Sequence, residues 1–509
     1  MSTPDAASTA AAWRERRPVA LAMFALVVLV AFESFAVTTV MPQVADLLDG
    51  RTLYAFAFAG PFATGVVGMV VAGAWSDRRG PAAPFAAGVA LFVAGLVVAG
   101  AAATMPVLVA GRLGQGLGGG VINVTLLVSV ARAYPPALHP RVFAWFSTAW
   151  VLPSIAGPAV AGLIADLAGW RWVFLGVAVL VVPAAVPLLT AVRRLGVDPA
   201  GPPAGAPAAP RPDPAPERAG RRVAWAVVVA SAVLGLNLAA ALPAPWSSVV
   251  AVAAAVTAVA AARPLLPPGT LRLRTGLPAV VATRLLLPGA FFGAQVYVPY
   301  LLVDRDGWGT TASGLGLSTA ALAWSGASIV QGRLGTRLSS RSSVRLGCVL
   351  VLAGIVGTAG AAAQGLAPWA VVAAWTVTGA GMGLASSRLN VLLLGWSAPE
   401  DQGRNSAANS IADSLGAALA LALTGVVFVA AGGDRVYAGP APFVAAFVLT
   451  GALALGASLV APRVGVPPTE RSGAAPGSDA PGPDGVLSDE VPSDEVPSAG
   501  TARASAPTT

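Results

Sequence analysis

The chain has 509 residues, of which 56% are hydrophobic and only 11% are charged. A soluble globular domain carries about 25% charged residues, so this composition excludes a soluble fold and indicates a membrane protein. The sequence contains no lysine, which excludes a P-loop nucleotide site and a lysine Schiff base, because both need that side chain.

Fourteen stretches of the sequence are apolar over the roughly 20 residues that are needed to cross a bilayer. The eighth stretch is short, and only Pro243-Ala-Pro245 separates it from the seventh, so twelve spans are an alternative to fourteen. The predicted spans are 19–41, 54–75, 83–104, 106–131, 142–165, 171–192, 223–242, 246–262, 279–302, 312–334, 344–364, 368–394, 405–431 and 441–461.

The 31 arginines are distributed unevenly between the two sides of these spans. If the N-terminus is cytoplasmic, only four arginines lie in outer loops: Arg51, Arg171, Arg305 and Arg435. Because positive residues concentrate in cytoplasmic loops, this pattern predicts an even number of spans and two cytoplasmic termini. The net charge of +8 then marks a cytoplasmic face, and no nucleic-acid partner is expected.

A charged segment after the second predicted span reads Gly73-Ala-Trp-Ser-Asp77-Arg78-Arg79-Gly80. A degenerate copy, 332–341, follows the tenth span, with Thr336 in place of the aspartate. The segment resembles the loop motif between the second and third helices of the major facilitator superfamily. The resemblance implies that the loop gates transport, through Gly73, Asp77, Arg78 and Gly80, and that the chain contains two repeated halves.

Three further segments resemble motifs of the same superfamily. Arg112-Leu-Gly-Gln115-Gly116 resembles its fourth-helix motif, and Gly157-Pro158-Ala-Val-Ala-Gly162 resembles a signature of its antiporter branches, with Ala161 replacing a glycine. Glu33 precedes Pro42 by the spacing found in fourteen-span drug:proton antiporters, where the usual acid is aspartate. The resemblance implies close helix packing at Gly116, Gly157, Pro158 and Gly162.

The predicted fold is therefore an all-α polytopic membrane protein with the major facilitator architecture. Two six-helix bundles would be joined by a Pro-rich linker and two extra spans. The predicted segments are a cytoplasmic tail (1–18), the N-terminal bundle (19–192), a cytoplasmic linker (193–222), the extra spans (223–262), the C-terminal bundle (263–462) and a disordered cytoplasmic tail (463–509).

Ionisable residues inside spans are costly and mark candidate functional sites. At a rise of about 1.5 Å per residue, Glu33 and Arg112 both lie about 9 Å below the outer edge, so they can pair. Burial favours the neutral form of a carboxyl group and a neighbouring arginine favours the charged form, so we expect this pair to exchange a proton during transport. The alternative is a static pair that joins two helices. Asp413 is a further candidate, with Arg284 and Arg388 nearby or reaching to the cytoplasmic interface.

Several polar or aromatic side chains within the spans are candidates for the lining of a substrate cavity. Hydrogen bonding between helices is the alternative role for the polar ones, and packing is the alternative for Trp150, Trp324 and Trp375. The polar candidates are Asn123, Gln295, Tyr297, Asn390 and Asn409.

The predicted function is proton-coupled efflux of a hydrophobic or amphipathic small molecule across the cell membrane, by a monomeric transporter. One cysteine and one histidine cannot form a Cys/His metal site, and we expect neither a cofactor nor enzymatic activity. Uptake of a nutrient is the nearest alternative. A polytopic membrane enzyme or the membrane subunit of an ATP-driven pump are more distant ones.

Overall fold

The computed structural model describes residues 6–134, 138–194, 216–239, 242, 246–334, 339–397, 402–433 and 439–465, and these residues form helices without strands. The α-helices are α1 (Ala6–Leu47), α2 (Tyr54–Arg79), α3 (Ala82–Gly100), α4 (Met105–Ala133), α5 (His139–Ala168), α6 (Arg171–Arg194), α7 (Pro216–Ala239), α8 (Trp246–Ala262), α9 (Leu277–Gln295), α10 (Tyr297–Asp304), α11 (Thr310–Leu334), α12 (Ser340–Ala363), α13 (Pro368–Gly395), α14 (Gln402–Ala430) and α15 (Ala441–Val460).

Twelve helical segments of the described chain are long and apolar enough to cross a membrane. One of them joins α9 and α10, which meet at Val296, into a single segment, Leu277–Asp304. The helix α11, which is less apolar than most of the others, and the 17-residue helix α8 are outside this set. The chain is therefore a multi-pass membrane protein, and the crossings of α8 and of α11 stay predictions.

Helices extend into two of the segments predicted to lie outside the membrane. In the predicted cytoplasmic linker (193–222), α6 continues to Arg194 and α7 already begins at Pro216, and the assignment of this segment as a linker stays a prediction. Proline is favoured in the first turn of a helix, where its missing N–H costs nothing. At the N-terminus, α1 begins at Ala6, so most of the predicted tail 1–18 continues the first span as helix. Residues 195–215 and 466–509 lie outside the described part of the chain.

The helices form two bundles, α1–α6 and α9–α15, which use the same pattern of neighbours. In the N-terminal bundle α4 packs against α2 and α3, and α1 packs against α5 and α6. In the C-terminal bundle α13 packs against α11 and α12, and the α9–α10 span packs against α14 and α15. The structure thus contains the internal repeat that the two copies of the loop motif indicate.

The extra hairpin of α7 and α8 lies at one side of the boundary between the bundles. Its two helices pack against each other, and α7 also contacts α2 of one bundle and α14 of the other.

We call the end of the molecule at which residues 47–54 lie the outer end, and the opposite end the inner end.

Glycines allow α3 and α4 to approach closely within the N-terminal bundle. A Cβ atom built on Gly118 would lie 2.5 Å from the backbone nitrogen of Phe92, and one on Gly95 would lie 2.6 Å from the carbonyl oxygen of Gly111. The equivalent helices of the other bundle make a similar contact, because a Cβ on Gly381 would lie 2.6 Å from the Gly347 oxygen. Backbone packs on backbone at these positions, so no side chain fits between the helices.

The replacement Gly118→Ala is expected to destabilise the protein, because the added methyl group would overlap the backbone at Phe92. Overpacking of this kind costs about 1–3 kcal/mol. Gly119 provides a matched control, since a Cβ there would contact the Phe92 ring at 3.7 Å, which is an ordinary distance. We expect Gly118→Ala to lower the free energy of unfolding in detergent, and Gly119→Ala to leave it unchanged or to raise it. Equal unfolding free energies for the two variants would contradict this packing.

Candidate functional site

A buried ion pair joins α1 to α4 in the N-terminal bundle. The Nη1 atom of Arg112 donates to Glu33 Oε1, and the two residues are 6% and 3% exposed. Arg112 also donates through Nη1 to Gln115 Oε1 at 2.7 Å and through Nε to the carbonyl oxygen of Ala57 at 3.2 Å. The guanidinium therefore has two acceptors besides the carboxylate.

A second ion pair lies in the C-terminal bundle and is more open. Arg284 on α9 is 8% exposed, and its Nη1 lies 3.3 Å from Asp413 Oδ2 on α14. Its Nη2 donates to Asn390 Oδ1 on α13. The side chain of Asp413 is 32% exposed and Asn390 is exposed. Arg284 is thus held between three helices by a carboxylate and an amide.

The polar candidates for the cavity lining fall into two groups. Asn123 and Asn390 are exposed, and both lie in the inner parts of their helices. Gln295, Tyr297 and Asn409 are buried. The ring of Tyr297 packs among other aromatic rings at the outer end, so it belongs to the closed end of the molecule and not to an open cavity.

The loop motif after α2 lies at the inner end. Gly80 ends α2 with a φ of +73°, a backbone conformation that favours glycine. Arg132 on α4 donates to the carbonyl oxygen of Ser76 at 3.3 Å, next to Asp77. A Cβ built on Gly73 would meet no described atom within 4 Å, and the same holds for Gly332 in the second copy. The two repeated glycines therefore face open space in this arrangement.

The glycines of the predicted packing motifs differ in how closely atoms of other helices approach them. A Cβ on Gly116 would overlap Pro61 on α2. One on Gly162 would lie 2.6 Å from the Cα atom of Thr311, which belongs to the other bundle. One on Gly157 would contact Phe35 at 3.5 Å, an ordinary distance. Gly116 and Gly162 thus lie at close helix contacts, whereas Gly157 does not.

An ion-pair network that the sequence motifs do not reveal connects the bundles at the outer end. Arg51 lies between Asp46 of its own bundle, at 2.8 Å, and Asp304 of the C-terminal bundle, at 3.2 Å. Close by, the Tyr54 hydroxyl donates to the carbonyl oxygen of Val296 at 2.5 Å. The network could have been suspected from the rare outer arginine, but nothing in the local pattern identifies its partner across the bundles.

A second contact closes the outer end between α5 and α11. The hydroxyl of Thr311 donates to Asp166 Oδ2 at 2.8 Å. A Cβ on Gly314 would lie 2.9 Å from the carbonyl oxygen of Pro158. Together with the Arg51 network, these contacts hold the outer ends of the bundles together. At the inner end, Gly73 and Gly332 face open space. The described residues therefore adopt an arrangement that is closed at the outer end.

The fold and the paired charges agree with the comparison of the sequence with known families. The model of the Major Facilitator Superfamily matches residues 23–374, more than half of the chain. The chain belongs to this superfamily, and it is therefore a membrane transporter and not an enzyme.

Individual relatives match shorter parts of the chain. A probable multidrug-efflux transporter of Mycobacterium tuberculosis is 27% identical over 201 residues, which are 39% of this chain and 43% of that relative. Multidrug resistance protein 3 of Bacillus subtilis is 25% identical over 156 residues, 31% of this chain and 30% of the relative. The chain thus matches less than half the length of these relatives.

Solved structures share the fold over most of the chain. A POT family transporter in complex with 5-aminolevulinic acid has a TM-score of 0.62 at 13% identity and covers 87% of this chain and 94% of its own. The xylose transporter XylE of E. coli, in a partially occluded inward-open conformation, has a TM-score of 0.57 at 12% identity, with coverages of 87% and 96%. At these identities the likeness shows the fold alone.

We expect Asp304→Asn to favour opening of the outer end, because it removes the ion pair that Arg51 makes across the bundles. An ion pair of this limited exposure contributes about 0.5–1 kcal/mol, so the open population should rise roughly two- to fivefold. Spin labels at the exposed residues Leu167 on α5 and Leu315 on α11, with Cys348 replaced by alanine, would measure the opening as a longer distance. Asp306→Asn is the control, since Asp306 pairs with its neighbour Arg305 inside one bundle. Equal distance distributions for both variants would contradict the assignment.

Proposed function

We propose that the chain is a proton-coupled exporter of hydrophobic or amphipathic small molecules, located in the cell membrane with both termini cytoplasmic. Transport would follow from rocking of the two bundles about a site between them. The observation that supports proton coupling most directly is the buried Glu33–Arg112 pair in the N-terminal bundle. The names of the relatives support efflux of drug-like compounds.

Proton exchange at Glu33 depends on whether Arg112 stays in contact with it. A carboxylate that loses its cation in a medium of low dielectric constant is stabilised by taking up a proton. Arg112 keeps Gln115 Oε1 and the Ala57 carbonyl oxygen as acceptors when Glu33 is neutral. Proton uptake from the outside and release to the inside at this pair would drive substrate in the opposite direction.

The second pair gives the transport path a polar group in the C-terminal bundle. Asp413 is partly exposed beside the buried Arg284, and Asn390, which accepts a hydrogen bond from Arg284, is exposed. We assign this cluster to contacts with polar groups of the substrate. Each bundle would then contribute a buried arginine with a carboxylate partner. The pair in the N-terminal bundle would exchange protons, and the pair in the C-terminal bundle would contact substrate.

The loop motif would close the inner end when the outer end opens. Gly73 and Gly332 occupy corresponding places in the two repeats and face open space while the outer end is closed. Rocking of the bundles would bring these glycine surfaces against neighbouring helices, where a larger side chain does not fit. Asp77 and Arg78 would then enter charge contacts across the inner end.

The variant Glu33→Gln is expected to lose pH-gradient-driven transport while it retains downhill flux, because glutamine cannot exchange a proton. The measurement is accumulation of ethidium against its gradient in proteoliposomes with an imposed pH difference. Full gradient-driven accumulation by Glu33→Gln would contradict the coupling role. The direction of the flux relative to the proton gradient separates efflux from the alternative, uptake of a nutrient.

A double variant distinguishes loss of coupling from misfolding. Breaking a buried pair on one side costs about 3–5 kcal/mol, because one charge is left without a partner. Glu33→Gln combined with Arg112→Gln removes both charges and should recover thermal stability without recovering coupling. Gradient-driven accumulation by the double variant would contradict the proposal.

We expect Gly73→Leu to fold normally and to stop transport, because its side chain has room only while the inner end is open. Gly176→Leu is the matched control: a Cβ at Gly176 on α6 likewise meets no described atom within 4 Å. Ethidium flux in proteoliposomes should be lost in the first variant and retained in the second. Retention of flux in both would show that Gly73 stays open throughout the cycle.

A further inference from the structure

Five aromatic side chains form a continuous cluster across the boundary between the bundles. This aromatic cluster comprises Phe62 on α2, Phe291 and Phe292 on α9, Trp324 on α11 and Trp375 on α13. The ring centroids of Phe62 and Phe292, which belong to different bundles, are 5.5 Å apart. Phe292 in turn lies 5.4 Å from Phe291. An uninterrupted aromatic surface therefore joins the two halves of the molecule.

Two residues of the aromatic cluster, Phe291 and Trp375, are buried and packed tightly against Trp324 or each other. Phe291 stacks on Trp375 at 5.0 Å with an angle of 23° between the ring planes, and it meets Trp324 edge to face at 5.3 Å and 88°. Phe291 and Trp375 are 5% and 1% exposed. Aromatic contacts of this geometry contribute beyond the area that they bury. The orientation of Trp324 is thus set by packing before any ligand arrives.

The other three residues of the aromatic cluster are partly exposed. Phe62, Phe292 and Trp324 are only partly buried, so part of each ring is left for a further contact. Phe292 and Trp324 lie near the middle of the segments Leu277–Asp304 and Thr310–Leu334. The Arg51 network and the Thr311–Asp166 contact lie nearer to the outer end than these two rings.

We propose that the aromatic cluster binds a planar aromatic group of the transported molecule, with Phe62, Phe292 and Trp324 as its specificity-determining residues. This inference rests on the proposed export function and names its substrate class. A planar ring can stack on a partly exposed ring of the cluster, and a positive charge on it adds a cation–π attraction. Since Phe62 belongs to the other bundle, opening of the outer end would separate it from Phe292, and this would weaken the site as the substrate leaves.

The test compares a planar aromatic cation with an aliphatic one on the full chain in nanodiscs. The probes are ethidium and radiolabelled tetrabutylammonium, and the variants are Phe292→Leu and Trp324→Leu. We expect ethidium binding to weaken about three- to tenfold in each variant, whereas tetrabutylammonium binding changes less than twofold. The conservative variants Phe292→Tyr and Trp324→Phe should restore ethidium binding to within twofold.

Phe174→Leu is the matched control, because Phe174 is a buried aromatic residue that packs against Trp170 outside the cluster. It should leave the ratio of the two affinities unchanged. Parallel weakening of both probes in the cluster variants, or unchanged ethidium binding, would overturn the inference and leave the export function standing. If the wild-type chain binds and transports neither probe, this result would contradict the proposed export of amphipathic molecules and, with it, this inference.

Discussion

The cost of burying charge away from water governs the placement of the charged residues in this transporter. An ion that is removed from water loses several kcal/mol of solvation, and only a close partner compensates for it. Glu33 and Arg112 form such a pair in the N-terminal bundle, and Arg284 and Asp413 form one in the C-terminal bundle. A change at one member of a pair therefore acts on the other, and this coupling is what a transporter can use to link a proton to a movement.

The same cost explains the few arginines that lie at the outer end, where Arg51, Arg171 and Arg305 each have a structural partner. Arg51 connects the bundles through Asp46 and Asp304. Arg171 donates to the carbonyl oxygen of Ala102, just after the end of α3. Arg305 donates to the carbonyl oxygens at the end of α12, the corresponding helix of the other bundle. Cations stabilise the C-terminal ends of helices, so these positions retain arginine on the side where arginine is otherwise rare.

The fold class could be predicted from the sequence. A membrane span needs an apolar stretch of a certain length, and the loops on the two sides of the membrane differ in their content of arginine. It also placed Glu33 and Arg112 at one depth, since helical rise depends only on the number of residues. Depth does not give the rotation of a side chain about its helix axis. For this reason the sequence left open whether Arg284 pairs with Asp413 or extends to the interface, and the burial of Tyr297 could not be predicted. The outer network was missed for another reason: Arg51 and Asp304 are far apart in the chain, and only the meeting of the bundles brings them together.

The central claim of the proposed function is that Glu33 carries the proton that is exchanged for substrate. The most direct measurement is the number of protons that the purified full-length chain releases into weakly buffered solution on addition of saturating ethidium. We predict a release that approaches one proton per bound ethidium for the wild type, and none for Glu33→Gln that still binds ethidium. Equal proton release by the two proteins would contradict the account, because the proton would then come from another group.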